Sequence, residues 1–140
     1  ASAFFGGLAG NAGLFSTARD VARVYQMLLN GGEIDGQRYL SKETCQLFTT
    51  ETSKISRRGL GFDKPDADDS KKGNCAPAAP AEVYGHTGFT GTCAWVDPVN
   101  ELVYVFLSNR IYPDVTNRKL NQLHIRERIQ GAIYDAMKKK

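Results

Sequence analysis

The stretch that decides the fold is residues 83–107, which read VYGHTGFTGTCAWVDPVNELVYVFL. β-Branched and aromatic side chains dominate it and predict three strands, at 83–87, 92–96 and 102–107. A tight turn is indicated by Asp97-Pro98-Val99-Asn100. Because this turn joins the last two strands directly, we expect an antiparallel hairpin. Its final strand is apolar almost throughout and should be covered on both faces.

Two helices are predicted before this stretch. The first begins after Thr17, which together with Asp20 resembles a capping box, and ends at Asn30-Gly31-Gly32. The second is capped by Ser41 and runs to about residue 49. We expect the first helix to bury one face, because its apolar residues recur at intervals of three and four: Val21, Val24, Tyr25 and Leu28.

The rest of the chain completes an α+β arrangement. Residues 59–62, GLGF, predict a short strand, and the polar composition of 64–81 predicts a flexible loop. A last helix is expected over about 117–137. The fold class is therefore α+β, an antiparallel meander with flanking helices, in a single partial domain over 1–140. The expected buried face of the last helix is Ile125, Ile129, Ala132, Ile133 and Ala136.

Composition excludes several classes of protein. With 41% hydrophobic and 24% charged residues, the chain is globular rather than disordered. The net charge of +3 owes much to lysines 138–140, so it predicts no nucleic-acid partner. The longest apolar run is too short to span a membrane. The three cysteines form no C-x-x-C pair and predict no metal site; one disulfide and three unpaired thiols both remain open.

Chemistry is concentrated in residues 85–92, GHTGFTGT, where small and polar residues interrupt a core strand. Gly88 and Gly91 allow close approach to the backbone. Two interpretations fit this pattern equally well. It is either a strand edge that presents amides and one imidazole to a ligand, or a bulge beside a sheet histidine, His86, that only packs.

Several motifs, in the same order along the chain, resemble those of serine β-lactamases and penicillin-binding proteins. The segment Gly85-His86-Thr87-Gly88 is similar to their third motif, usually Lys-Thr-Gly, in its class C-like His-Thr-Gly variant. Three further matches extend over nearly the whole chain: GNAGLFSTARD at 10–20, RGLGF at 58–62 and LSNRIYP at 107–113.

The resemblance implies a role for each matching residue. His86 stands where the family has its lysine, Thr87 and Gly88 line the substrate strand, and the Phe89 amide N–H is half of an oxyanion hole. Such a donor contributes about 100- to 1000-fold in rate. Thr90 and Arg118 are further candidates for substrate binding, although Arg118 equally fits a surface position at the start of the last helix. No cofactor and no metal are implied.

The nucleophile of the family is absent from the sequence. No serine is followed three residues later by lysine. Tyr39-Leu40-Ser41 matches the second motif of the family only by chance, since Ser41 has a sufficient role as a helix cap. We therefore expect a C-terminal fragment that is inactive alone. Its partner would be an N-terminal part of the same protein, and the surfaces left open would favour self-association.

Three classes of function follow. In the first, the parent is a serine hydrolase that acts on β-lactams, D-Ala peptides or small esters. In the second, it is a peptide- or ligand-binding module without catalysis. In the third, it is a structural piece appended to another enzyme such as a glycosidase. Asp114 stands where class C enzymes carry a group that meets a substrate carboxylate, which weakens the case for classical β-lactam turnover. The resemblance alone suggests a periplasmic or extracytoplasmic location.

Overall fold

The three strands predicted between residues 83 and 107 form, with ends shifted by at most one residue. The structure, a computed structural model, describes residues 4, 6, 7, 9, 12–50, 53–65 and 74–138. Its elements, in chain order, are α1 (Ala18–Leu29), β1 (Glu33–Ile34), β2 (Gln37–Arg38), α2 (Lys42–Thr49), β3 (Tyr84–Thr87), β4 (Cys93–Asp97), β5 (Leu102–Phe106), α3 (Lys119–Gln122) and α4 (Ile125–Met137).

The main sheet is antiparallel, with the strand order β3-β4-β5. The predicted hairpin of β4 and β5 is confirmed, and the Asp97 carboxylate accepts hydrogen bonds from the turn amides of Val99 and Asn100. The prediction that β5 is covered on both faces holds only in part. Only Tyr104 of β5 is buried, whereas every residue of β4 is. The reason is position: β4 is the central strand and β5 lies at an edge.

Helices cover both faces of the sheet. Alternate side chains of β4 point to opposite faces, and those of Cys93, Trp95 and Asp97 lie on the side of α4. There Tyr134 Oη donates to Asp97 Oδ2 over 2.7 Å. Helix α1 packs against β4 and β5 from the other side. The buried core on the α4 side consists of Cys75, Val83, Cys93, Trp95 and Tyr104.

Helix α1 begins and ends as predicted. The Thr17 hydroxyl accepts from the Asp20 amide over 3.2 Å. At the C-terminus the Gly32 amide donates to Met27 O, a Schellman motif that needs the positive φ of the two glycines, 68° and 96°. The expected buried face is only half covered, because no residue of α1 is fully buried and Val24 is 56% exposed.

Helix α2 is also confirmed. Ser41 caps it by accepting from the Thr44 amide over 3.1 Å. This cap accounts for Ser41 without any catalytic role. No helix in the described ranges is long and apolar enough to cross a membrane.

The C-terminal helix differs from its prediction in two ways. It is broken between α3 and α4 at His124, whose φ is +49°. The buried residues of α4 are Arg126, Gln130 and Tyr134 rather than the predicted isoleucines and alanines. These three are polar but have partners: Gln130 Oε1 accepts from the Ala76 amide over 2.8 Å, and Arg126 donates to Asn121 Oδ1 over 3.3 Å.

The segment before the sheet corrects a further prediction. Residues 59–62 make a tight turn instead of a strand, with Phe62 O accepting from the Gly59 amide over 3.1 Å. Asp63, which follows this turn, bridges to Gly85. Both described ends of the predicted loop 64–81 are packed, since Lys64, Cys75 and Ala76 are buried. Residues 66–73 lie outside the described residues, and their flexibility stays a prediction.

All three cysteines are buried and unpaired, so of the two alternatives the structure has free thiols. Burial raises the pKa of the Cys93 thiol to about 11. Desolvation likewise raises the pKa of Cys75 and Cys45. The thiols therefore serve as small apolar side chains of the core.

The bond from Tyr134 to Asp97 should contribute measurably to stability. Asp97 is only 2% exposed, so Tyr134→Phe removes a donor from a carboxylate that water cannot reach. We expect the free energy of unfolding in urea to fall by about 1–3 kcal/mol. Tyr39→Phe is the matched control, because Tyr39 is 64% exposed. Equal effects of the two substitutions would show that the buried bond does not matter.

Candidate functional site

The outer edge of β3 is largely open. Strand β4 pairs with its inner edge, and on the outer side Gly85 alone is bridged, by Asp63 N–H to Gly85 O over 2.7 Å and Gly85 N–H to Asp63 O over 3.0 Å. Backbone groups of an antiparallel strand alternate in direction, so Thr87 presents its N–H and C=O on the same side as Gly85. Beyond Gly85 no described strand covers this edge.

A tight turn follows β3 and leaves the Phe89 amide without a partner. Gly88 N–H donates to Thr92 O over 2.8 Å, and Gly91 N–H donates to Gly88 O over 2.9 Å. Phe89 lies at the tip and is 71% exposed. Within the described part of the chain, the Phe89 N–H has no hydrogen-bond partner. The turn thus offers a free backbone donor to solvent.

The segment after β5 holds this turn in place. Both the Ser108 hydroxyl and the Arg110 amide donate to Thr90 O, over 3.2 Å and 2.9 Å. The Arg110 guanidinium carbon lies 4.8 Å from the centroid of the Phe89 ring, a cation–π distance. Sequence reasoning assigned no role to Ser108 or Arg110, although both fall in the LSNR segment that it singled out.

His86 is an exposed residue of β3. Its Nδ1 is 2.6 Å from Thr87 O, and its Nε2 is 2.9 Å from Nη1 of Arg58. Sequence reasoning missed Arg58, which is separated from His86 by 28 residues. The only sequence signal was the position of Arg58 at the start of the RGLGF segment.

Arg58 directly follows Arg57, which pairs with a buried carboxylate. Asp63 is 1% exposed and pairs with Arg57, whose Nε lies 2.7 Å from Asp63 Oδ1. Asn74 Nδ2 donates to the other oxygen, Oδ2, over 2.7 Å. The same Asp63 bridges to Gly85, so the cluster fixes the segment that carries Arg58 against β3.

The remaining residues singled out in the sequence are Arg118, Asp114 and Thr90, of which Thr90 belongs to the turn after β3. The Arg118 side chain makes no hydrogen bond or ion pair with any described residue and is exposed at the start of α3. Asp114 binds Thr116 instead, and these hydrogen bonds lower the pKa of its carboxyl. The carbonyl of Thr90 is used by the turn itself. Substrate binding by Thr90 and Arg118 stays a prediction.

The described ranges contain no candidate metal site. Among them, no group of three or more His, Cys, Asp or Glu side chains is placed to hold an ion. The chemistry that the arrangement can perform comes from its hydrogen-bond donors. These donors include the backbone amide of Phe89, the imidazole of His86 and the guanidinium of Arg58.

A family model described as Beta-lactamase matches residues 2–127. The chain belongs to the β-lactamase family. Two curated relatives, from Escherichia coli O157:H7 and Salmonella agona, carry the provisional name D-alanyl-D-alanine carboxypeptidase. Each is 37% identical to this chain over 116 residues, which is 83% of the chain. The match is 26% of the first relative and 27% of the second, so this β-lactamase-family chain spans about a quarter of their length.

A solved structure was also matched, that of a provisionally named β-lactamase from Bacteroides dorei. The TM-score is 0.47 at 14% sequence identity, and the match covers 90% of this chain and 48% of the other. The family assignment rests on the family model and the curated relatives. The match therefore corresponds to one segment of these longer relatives.

The shape of the turn should depend on Gly91. Its φ is +95°, and an added Cβ would lie 2.6 Å from Ser108 Oγ. Gly36 has a similar φ of +75° with nothing within 4 Å of an added Cβ, which makes it a matched control. We expect Gly91→Ala to destabilise the chain by about 1–3 kcal/mol more than Gly36→Ala, because only the first adds a steric clash. Urea unfolding of both variants measures this difference, and equal losses would mean that Ser108 does not constrain the turn.

Proposed function

We propose that this chain forms one wall of the acyl-transfer site of a serine hydrolase and is inactive alone. The observation that carries the proposal is the unpaired amide of Phe89, in the hydrogen-bonded turn that directly follows β3 and His86. Acyl transfer passes through a tetrahedral intermediate with a negatively charged oxygen, and a fixed N–H donor stabilises that charge. The family membership and the provisional carboxypeptidase names of the relatives support this reaction class.

In this proposal each residue has a defined task. The Phe89 N–H donates to the developing oxyanion, and the outer edge of β3 at Thr87 binds the substrate backbone as an added strand would. The attacking hydroxyl belongs to another segment of the longer protein, because no serine in this chain has a lysine three residues later. The substrates are acyl compounds such as D-alanyl peptides, β-lactams or small esters.

The chain on its own should show no acyl-transfer activity. Purified chain should neither hydrolyse a chromogenic cephalosporin or a nitrophenyl ester above buffer, nor retain a fluorescent penicillin covalently. The physical reason is that an oxyanion donor without a nucleophile starts no reaction. Mass spectrometry after incubation with penicillin checks this, and an acylated serine in this chain would overturn the assignment of roles.

The Phe89 amide can be tested in the longer protein with a matched pair of variants. Phe89→Pro removes the N–H, whereas Phe89→Ala keeps it and removes only an exposed ring. We expect the acylation rate by penicillin to fall by about 100- to 1000-fold in Phe89→Pro, the loss typical of one oxyanion donor, and far less in Phe89→Ala.

Thermal unfolding of both variants controls for damage to the turn. If Phe89→Pro unfolds at the temperature of the unmodified protein and is acylated as fast as Phe89→Ala, the amide is not an oxyanion donor. A longer protein that binds penicillin reversibly, without acylation, would instead favour the non-catalytic binding module.

A further inference from the structure

The contacts of His86 define which of its nitrogens carries hydrogen. A carbonyl oxygen can only accept, so the contact of Nδ1 with Thr87 O requires hydrogen on Nδ1. A guanidinium can only donate, so the contact of Arg58 Nη1 with Nε2 requires a bare lone pair there. Both requirements are met by one species, the neutral imidazole with hydrogen on Nδ1.

The positive charge at this place therefore belongs to a different residue. Arg58 keeps its charge at any working pH, because a guanidinium does not deprotonate in proteins. Its charge is also uncompensated, since within the described residues no carboxylate lies within ion-pair distance of Arg58. The neighbouring buried carboxylate, Asp63, is engaged by Arg57 and Asn74.

We propose that Arg58 supplies the positive charge that the lysine of the usual Lys-Thr-Gly motif would provide, while His86 is a neutral link between Arg58 and the substrate strand. Arg58 donates to Nε2, and Nδ1–H in turn donates to Thr87 O, so a continuous chain of hydrogen bonds joins the cation to the backbone of β3. Each bond in such a chain polarises the next. Arg58 thus acts as a positioning and electrostatic residue.

Local hydrogen bonds position the backbone at the exposed Arg58. The Arg58 amide donates to Ser56 Oγ over 3.4 Å, and Ser53 Oγ accepts from the Ser56 amide over 3.1 Å. Arg57, which directly precedes Arg58, pairs with the buried Asp63. Asp63 in turn bridges to Gly85, the residue before His86. The Arg58 guanidinium itself contacts β3 through His86 Nε2.

Nitrogen NMR of the imidazoles tests the pairing without any catalytic readout. The sequence has two histidines, so His124→Gln identifies the signals of His86. At neutral pH we expect His86 to show hydrogen on Nδ1 and none on Nε2. Arg58→Ala should shift the Nε2 resonance and admit the other tautomer, whereas Arg19→Ala, on an exposed residue of α1, should change neither. A doubly protonated His86, or an Arg58→Ala spectrum identical to that of the unmodified chain, would overturn the proposal.

The catalytic consequence rests on the function proposed above and is measured in the longer protein. We expect Arg58→Gln, which is neutral, to lower the acylation rate by about 10- to 100-fold, the effect of losing a charge-assisted hydrogen bond. Arg58→Lys should recover most of that loss, because it restores the cation. Arg19→Gln is the matched control.

The two proposals fail in different ways. If the unmodified longer protein is never acylated, the hydrolase function fails, and the NMR experiment still decides whether Arg58 holds His86 neutral. If acylation occurs and Arg58→Gln is acylated as fast as Arg19→Gln, the hydrolase function stands. The role proposed for Arg58 is then wrong. Equal losses in Arg58→Gln and Arg58→Lys would likewise exclude charge as the reason.

Discussion

The close contact between Gly85 and Trp95 fixes the register on which the site depends. The two residues are paired across β3 and β4, and a Cβ on Gly85 would lie 2.7 Å from Cε3 of the indole. With glycine there, the ring of Trp95 covers the strand directly. Because successive side chains point to opposite faces, the His86 side chain lies on the face opposite Trp95. A shift by one residue would exchange His86 and Thr87 and dismantle the arrangement at the edge.

Two buried carboxylates then join segments that are distant in the chain. Asp97 connects the turn of the β4–β5 hairpin to Tyr134 in α4. Asp63 connects Arg57 and Asn74 to the edge of β3. A buried charge is costly unless every lone pair has a partner, so each carboxylate specifies the geometry of the groups around it. One carboxylate orders the core, and the other orders the neighbourhood of His86.

Much of the fold was predictable from local patterns. The caps at Thr17 and Ser41 and the turn beginning at Asp97 act through neighbouring residues, and all three were correct. The buried face of α4 was not predictable by counting apolar residues. Gln130 and Tyr134 are buried because Ala76 and Asp97, more than 30 residues away, supply their partners. The short β1–β2 hairpin was overlooked, although Asp35-Gly36 is a common hairpin turn and both residues have positive φ.

The candidate site shows the same difference between features that lie within one segment and contacts that join distant segments. The GHTG segment could be singled out because its residues are contiguous, and the structure places them at an open edge. Arg58 and Arg110 could not be placed there from sequence, since their contacts with His86 and Phe89 cross between segments. A pattern within one strand identifies the donors that the backbone offers. The charges that surround them are contributed by loops whose position only the folded chain reveals.

The three unpaired thiols have a consequence for how this fold tolerates its surroundings. No disulfide stabilises the fold, so a reducing agent has no disulfide bond to cleave. The thiols are shielded from solvent, and the raised pKa of Cys93 disfavours the thiolate that oxidants attack. The fold therefore does not depend on a disulfide between these cysteines. Substitutions at Cys45, Cys75 and Cys93 are limited by the volume of the new side chain and not by a need for sulfur.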